Sequence, residues 1–217
     1  NGSGKSTLVK LLCRLYDPQG GRVTYDGVDL RELSAVELRR AISVIFQDFA
    51  RYQLSARQNI WTGNVGLAED DPAVERAARE AGAHEVIAGL RAGYETMLGK
   101  WFEDGEELSI GEWQKVALAR AFVRDADVLV FDEPTSALDP VSEWKVFEHI
   151  RELAKGRAVV LISHRFSTVR NADRIHILDD GRIVESGTHA ELIALDGEYA
   201  RMYEVQARAY REDQAPS

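Results

Sequence analysis

Short runs of apolar, largely β-branched residues alternate with helix-length amphipathic segments along this chain. That alternation constrains the fold more than any other feature. The runs are Ser43 to Phe46, Val128 to Phe131, Ala158 to Ser163 and Arg174 to Leu178. Each is strand-length and largely apolar, which predicts strands buried in a sheet. Between them, Lys5 to Tyr16 lines up Leu8, Leu11, Leu12 and Leu15 on one helical face. Gly111 to Val123 does the same with Val116, Leu118, Ala119 and Phe122, and Val141 to Leu153 with Val146, Phe147, Ile150 and Leu153. Strands separated by helices specify an α/β domain with a mostly parallel sheet. Two antiparallel pieces interrupt the pattern. Asp179-Asp180-Gly181 predicts a tight turn into Arg182 to Glu185, and Asp26-Gly27 follows Arg22 to Tyr25. From about residue 48 to 115 strand signals are sparse and helix formers common, so this stretch reads as a helical insert. Tyr199 to Tyr210 is amphipathic through Tyr199, Met202, Tyr203 and Tyr210, and the chain beyond it reads as frayed.

Composition removes several classes of function. The 27 basic and 36 acidic residues leave a net charge of −9. An acidic surface repels phosphate backbones and excludes a general nucleic-acid binder, while leaving room for a local anion site. The one cysteine, Cys13, allows no internal disulfide and reads as core packing. No apolar run approaches the roughly 18 residues of a membrane span. His84, His149, His176 and His189 have no metal-ligand spacing and read as structural, and Trp61, Trp113 and Trp144 read as packing or lobe interface.

The chemistry starts at the first residue. Asn1-Gly2-Ser3-Gly4-Lys5-Ser6-Thr7 runs directly into a helical segment. It matches the back half of a P-loop, G-x-x-x-x-G-K-[ST], whose first glycine falls upstream of Asn1. Glycines let successive backbone N–H groups face a phosphate, and the helix start adds its positive end. Lys5 supplies a point charge for the outer phosphates, and the Ser6 hydroxyl is placed to ligate Mg²⁺. A Gly/Ser turn that merely caps a helix would explain this segment alone. It does not explain a second element, the apolar strand Val128 to Phe131 ending in Asp132-Glu133. There Asp132 is placed to hold the metal and Glu133 to polarise an attacking water at the γ phosphate.

Between those elements lies Leu108-Ser109-Ile110-Gly111-Glu112-Trp113-Gln114, followed by Lys115 to Ala121. This segment resembles the signature motif of ABC-type ATPases, with Ile110 where glycine is usual and Glu112 where glutamine is usual. Around it, Gln47 resembles the Q-loop glutamine, Ser136-Ala137-Leu138-Asp139 the D-loop, and His164 the switch histidine. The stretches Ala172 to Ile175 and Gly181 to Leu192 resemble the closing segment of exporter-type ATP-binding domains. Trp101-Phe102-Glu103-Asp104-Gly105 stands in the place of their X-loop, with Glu103 its acidic residue.

The resemblance implies one ABC ATP-binding domain over residues 1–217. A P-loop NTPase core would span 1–47 and 116–217, with a helical signature subdomain over 48–115. The core's N-terminal strands and the adenine-stacking aromatic would lie upstream of Asn1, so the chain by itself is expected to fold poorly or bind ATP weakly. The resemblance also implies the site. Asn1, Gly2, Ser3, Gly4, Lys5, Ser6 and Thr7 cradle ATP. Ser6, Gln47 and Asp132 hold Mg²⁺. Glu133, His164 and Gln47 act in hydrolysis. Ser109, Gly111 and Asp139 reach the nucleotide of a second such domain, making an ATP-dependent dimer. Gln47 and the segment from Asp48 to Ile60, with Phe49 and Tyr52 exposed, would pass motion to a transmembrane domain of the same polypeptide. That arrangement places the chain at the cytoplasmic face of a membrane as an exporter's motor, with no nucleic-acid partner. The alternatives are a non-transport ABC ATPase acting on ribosomes or chromosomes, and a regulatory nucleotide-binding module without turnover. The first is disfavoured by the exporter-like closing segment, and the second by the presence of both Glu133 and His164.

Overall fold

The computed structural model describes residues 4–101, 104–135, 138–153 and 156–212. In chain order the elements are α1 (Lys5–Leu12), β1 (Thr24–Tyr25), β2 (Val28–Asp29), α2 (Ala35–Ala41), β3 (Ile42–Ile45), α3 (Ala56–Trp61), α4 (Pro72–Glu80), α5 (His84–Ala88), α6 (Ile110–Phe122), β4 (Val128–Asp132), α7 (Pro140–Leu153), β5 (Ala158–Ile162), α8 (Phe166–Val169), β6 (Ile175–Asp179), β7 (Arg182–Gly187), α9 (His189–Leu195) and α10 (Glu198–Glu212). They form two compact units, residues 22–161 and residues 1–21 with 162–217.

The larger unit is built on the sheet β3-β4-β5. Strands β3 and β4 run parallel, pairing Ile42 with Val128 through Ile45 with Phe131. Both are apolar on each face, as a covered parallel strand requires. The long connection between them carries α3 to α6, with Ile60, Val74, Ile87, Leu98, Trp113 and Leu118 fully buried in one continuous core. Three of its helix starts are fixed by local caps. Ser34 caps α2, Ser55 and Gln58 form a capping box on α3, and Asp71 caps α4 ahead of Pro72. Helix α3 can approach α6 only because residue 63 is glycine. A Cβ there would lie 1.9 Å from the Arg120 carbonyl oxygen. Trp113 is core, its indole N–H donating to Glu107 at 2.9 Å. Trp144 is not part of it, at 64% exposure on α7.

In the smaller unit, β6 and β7 form the expected antiparallel hairpin. Asp180 and Gly181 are both left-handed at its turn, the geometry that matches strand twist. Phe166, Ile175, Leu192 and Tyr199 make its core, with Val169, Ile177 and Tyr203 against them. Helix α9 starts with a capping box of Thr188 and Glu191, and Glu185 of β7 accepts from the first backbone N–H groups of α10. Helix α1 is shorter than its leucine spacing predicts. Arg14 takes a left-handed backbone (φ 47°) just beyond Leu12, so Leu15 and Tyr16 leave the helix and are exposed. The buried side chains here are Val9 and Cys13 rather than the leucine row. No helix among the described residues is long and apolar enough to cross a membrane.

Candidate functional site

The amino end of α1 differs from every other helix of comparable length. Asp71 caps α4, Ser109 caps α6, Asp139 caps α7 and Glu185 caps α10, whereas no described side chain caps α1. The preceding Gly4 sits at φ 94°, a conformation that strains any residue with a Cβ. An uncapped helix start behind a left-handed glycine is what an anion requires. Lys5 and Ser6 follow at its first positions, with Thr7 after them, while Asn1, Gly2 and Ser3 lie outside the described residues.

The acidic pair sits at the tip of β4. Asp132 is 5% exposed, and Glu133, the next residue, is half-buried with its backbone left-handed at φ 52°. Two amides hold Glu133. Gln47 Nε2 donates to its Oε2 at 3.3 Å, and Gln114 Nε2 donates to its carbonyl oxygen at 3.4 Å. Gln47 comes from the segment after β3, and Gln114 is a 2%-exposed residue of α6. The parallel register sets β3 and β4 side by side, which brings Gln47 beside Glu133. A single buried carboxylate at a strand tip is a donor set that Mg²⁺ accepts when phosphates and waters supply its remaining oxygens.

The start of α6 is a second built turn. Ser109 Oγ accepts from the Glu112 N–H at 3.3 Å, and Glu112 Oε2 accepts from the Ser109 N–H at 2.8 Å. This capping box accounts for Glu112, because glutamate closes it as well as glutamine does. Ile110 points outward and is exposed, so its bulk meets no core. The Ser109 hydroxyl accepts within the box and keeps its proton for another acceptor. Asp139 Oδ1 accepts from the backbone N–H groups of Val141 and Ser142, both at 3.0 Å. Hydrogen bonds from Ser142, side chain first, hold its carboxyl below the usual carboxylate range. The rest of the D-loop resemblance, Ser136 and Ala137, and the X-loop residues Phe102 and Glu103 lie outside the described residues.

His164 lies between β5 and α8 with its side chain exposed. Its carbonyl oxygen accepts from Gln206 Nε2 at 2.6 Å. Among the described residues, no group of three or more His, Cys, Asp or Glu could hold a metal.

The segment after Gln47 departs from expectation in part. Tyr52 is exposed, but Phe49 packs against the core. The residue that organises this segment is one sequence reasoning passed over. Arg120 of α6 donates to Asn59 O at 2.9 Å, Asn59 Oδ1 at 3.0 Å and Ala50 O at 2.9 Å, with its guanidinium 4.5 Å from the Tyr52 ring centroid. Burial draws this guanidinium down from its ordinary value. Fully buried Asn59 donates in turn to the carbonyls of Tyr52, Leu54 and Ser55. Beside them opens a cavity of about 280 Å³ lined by Phe49, Tyr52, Thr62, Arg120 and Arg124. The available signal for Arg120 was a cation between Ala117 and Ala121 on an otherwise apolar helix face.

Comparison with known proteins agrees with this geometry. The profile of the ABC transporter family matches residues 1–136. An ATP-dependent lipid A-core flippase of Syntrophus aciditrophicus (strain SB) is 42% identical over 213 residues, covering 98% of this chain and 34% of that protein. The alpha-hemolysin translocation ATP-binding protein HlyB of Escherichia coli is 44% identical over 208 residues, covering 95% of this chain and 29% of that protein. A solved structure of a bacterial Atm1-family ABC exporter with ATP bound matches with a TM-score of 0.88 at 39% identity, covering 95% of this chain and 35% of that one. The chain spans about a third of the length of these relatives.

Proposed function

Since the chain belongs to the ABC transporter family and is an ABC-type ATPase domain, we propose that it is the motor of an exporter, coupling ATP-driven dimerisation to transport of a substrate across a membrane. The observation that supports this reading is that one chain holds two separate helix starts suited to an anion. One is the uncapped amino end of α1 behind Gly4, and the other is the Ser109 turn on α6. A P-loop enzyme that works alone needs only the first. The second has a purpose when it meets the γ phosphate held by another domain, so that two ATP molecules join two domains head to tail.

The roles of the residues follow from their chemistry. Asn1 to Thr7 wrap the triphosphate, Lys5 neutralising its outer charge and Ser6 offering its hydroxyl to Mg²⁺. Ser6, Asp132 and Gln47 would hold that Mg²⁺, which supplies charge neutralisation on the phosphate oxygens when bound. Glu133 orients the attacking water and accepts its proton, and His164 supports the same water from its exposed imidazole. Ser109 and the Gly111 backbone receive the opposite nucleotide, and Asp139 reaches across the interface. Gln47 bonds to Glu133 directly, so the residue that senses the phosphates also restrains the base. Its neighbours Ala50 and Tyr52 are tied through Arg120 to α6, which carries Ser109 at its start. Movement of the signature helix is thereby linked to the cavity beside Tyr52, where an intracellular loop of the membrane half would seat. The partners on this reading are a second ATP-binding domain and a transmembrane domain of the same polypeptide. The location is the cytoplasmic face of the membrane. Residues 48–115 form the helical subdomain, and the remainder forms the P-loop core.

The test uses the intact transporter. Glu133→Gln is expected to keep ATP binding, to lower the hydrolysis rate by about 10²-fold or more, and to trap an ATP-dependent association of the two ATP-binding domains. Adding Ser109→Arg is expected to abolish that association. Association indifferent to ATP would remove the sandwich mechanism.

A further inference from the structure

Helix α10 lies far along the sequence from the nucleotide-facing motifs, yet it grips one of them. The Gln206 side chain makes two bonds to the segment that carries His164. Its Nε2 donates to the His164 carbonyl oxygen at 2.6 Å, and its Oε1 accepts from the Phe166 N–H at 3.3 Å. These two backbone groups flank Arg165, so one planar amide spans the turn as a paired strand would. Asparagine and glutamine are the side chains that offer a donor and an acceptor on one such group, and glutamine has the longer reach. Locally, Ser163 Oγ accepts from the Arg165 N–H at 3.0 Å. Helix α8 is one turn long, and no side chain caps its start.

Packing places Gln206 for this contact. Phe166, 7% exposed, meets Tyr199 at 5.1 Å and Tyr203 at 5.6 Å between ring centroids, edge-on in both cases. Tyr199, Tyr203 and Gln206 follow one another on one side of α10, at successive spacings of four and three residues. The opposite end of the helix is held by Glu185 of β7. The helix is thus fixed to the hairpin at its start and carries the turn before α8 nearer its other end.

We propose that α10 is the positioning element for the switch histidine, and that Gln206 is the residue through which it acts. The inference rests on the reading that His164 supports the attacking water. Hydrogen bonding at the His164 carbonyl sets the backbone from which the imidazole projects, and a displacement of about 1 Å at a reacting centre costs on the order of 10²-fold in rate. Gln206 itself touches no nucleotide.

In the intact transporter, Gln206→Ala is expected to lower kcat about tenfold or more while KM for ATP stays within about twofold. Gln206→Glu keeps the acceptor for Phe166 but loses the donor for His164, and is expected to show a loss of similar size. Val205→Ala, at an exposed position of the same helix, is expected to leave kcat unchanged. His164→Ala combined with Gln206→Ala is expected to be no slower than His164→Ala alone. A wild-type kcat in Gln206→Glu, or losses that multiply in the double variant, would overturn the proposal while leaving the reading of His164 intact. Full activity in His164→Ala alone would overturn that reading and this proposal with it.

Discussion

Among the described residues, five other than glycine adopt left-handed backbone, and their settings separate turn chemistry from function. Asp26 and Asp180 each precede a glycine in a hairpin turn, and Arg14 and Asp196 sit just past helix ends. Glu133 has neither excuse. It follows a buried strand and carries a charged side chain in a conformation that costs about 1 kcal/mol or more. Gln47 and Gln114 hold it there. Glycine at either of two positions therefore gives different results. Asp196→Gly relieves the same backbone penalty and removes a negative charge from the carbonyl end of α9. We expect a gain of up to about 1 kcal/mol with unchanged ATPase rate. Glu133→Gly is expected to cost little or no stability and to lower hydrolysis about 10²-fold or more. Thermal unfolding paired with phosphate release checks both. Equal rates for the two variants would show that the carboxylate has no part in turnover.

Among the elements, α6 joins most of the chemistry. It begins at the Ser109 cap, holds Glu133 through Gln114 and ends its contacts through Arg120. Its approach to α3 depends on Gly63. A methyl group there would meet the Arg120 carbonyl carbon and oxygen and a Val123 methyl, and the helix backbone cannot yield cheaply. Gly63→Ala is expected to destabilise by about 1–3 kcal/mol, with a lower unfolding midpoint. Unchanged stability would mean that the two helices are free to part. Removing the cap is a milder change. Ser109→Ala is expected to cost about 1 kcal/mol and also to weaken ATP-dependent association, whereas Thr188→Ala in the matching capping box of α9 is expected to cost a similar amount with association intact. Comparing the two separates the structural role of the cap from its role toward phosphate.

At the scale of the whole molecule, a net charge of −9 surrounds a site that must gather a triphosphate. On the proposed reading the attraction is local, from Lys5, the uncapped start of α1 and the Mg²⁺ that would accompany ATP, rather than from the overall field. Saturating ATP with Mg²⁺ at about 100 times the dissociation constant is expected to stabilise the folded transporter by roughly 2.7 kcal/mol. Lys5→Ala is expected to remove most of that shift without lowering the midpoint measured in the absence of nucleotide. A shift that survives Lys5→Ala would place the nucleotide elsewhere.

Much of this was legible in the linear order of residues, because the forces concerned act between near neighbours. Periodicity assigned the strands β3, β4 and β5, the hairpin of β6 and β7, and helix α6, although β5 is buried only at Ile162. Turn chemistry marked the left-handed positions at Asp26 and Asp180, and motif spacing marked Gly4 to Ser6, Asp132 and Glu133 as candidates. Near-neighbour rules also erred, at the far end of α1, where Arg14 breaks the helix before Leu15 can join its face. What only the folded chain decided is which distant polar groups meet. Gln47 reaches Glu133 across 86 positions, Arg120 reaches Asn59 across 61, and Gln206 reaches His164 across 42. No local rule selects such partners. They are fixed when packing closes long loops and leaves each donor only the acceptors within reach.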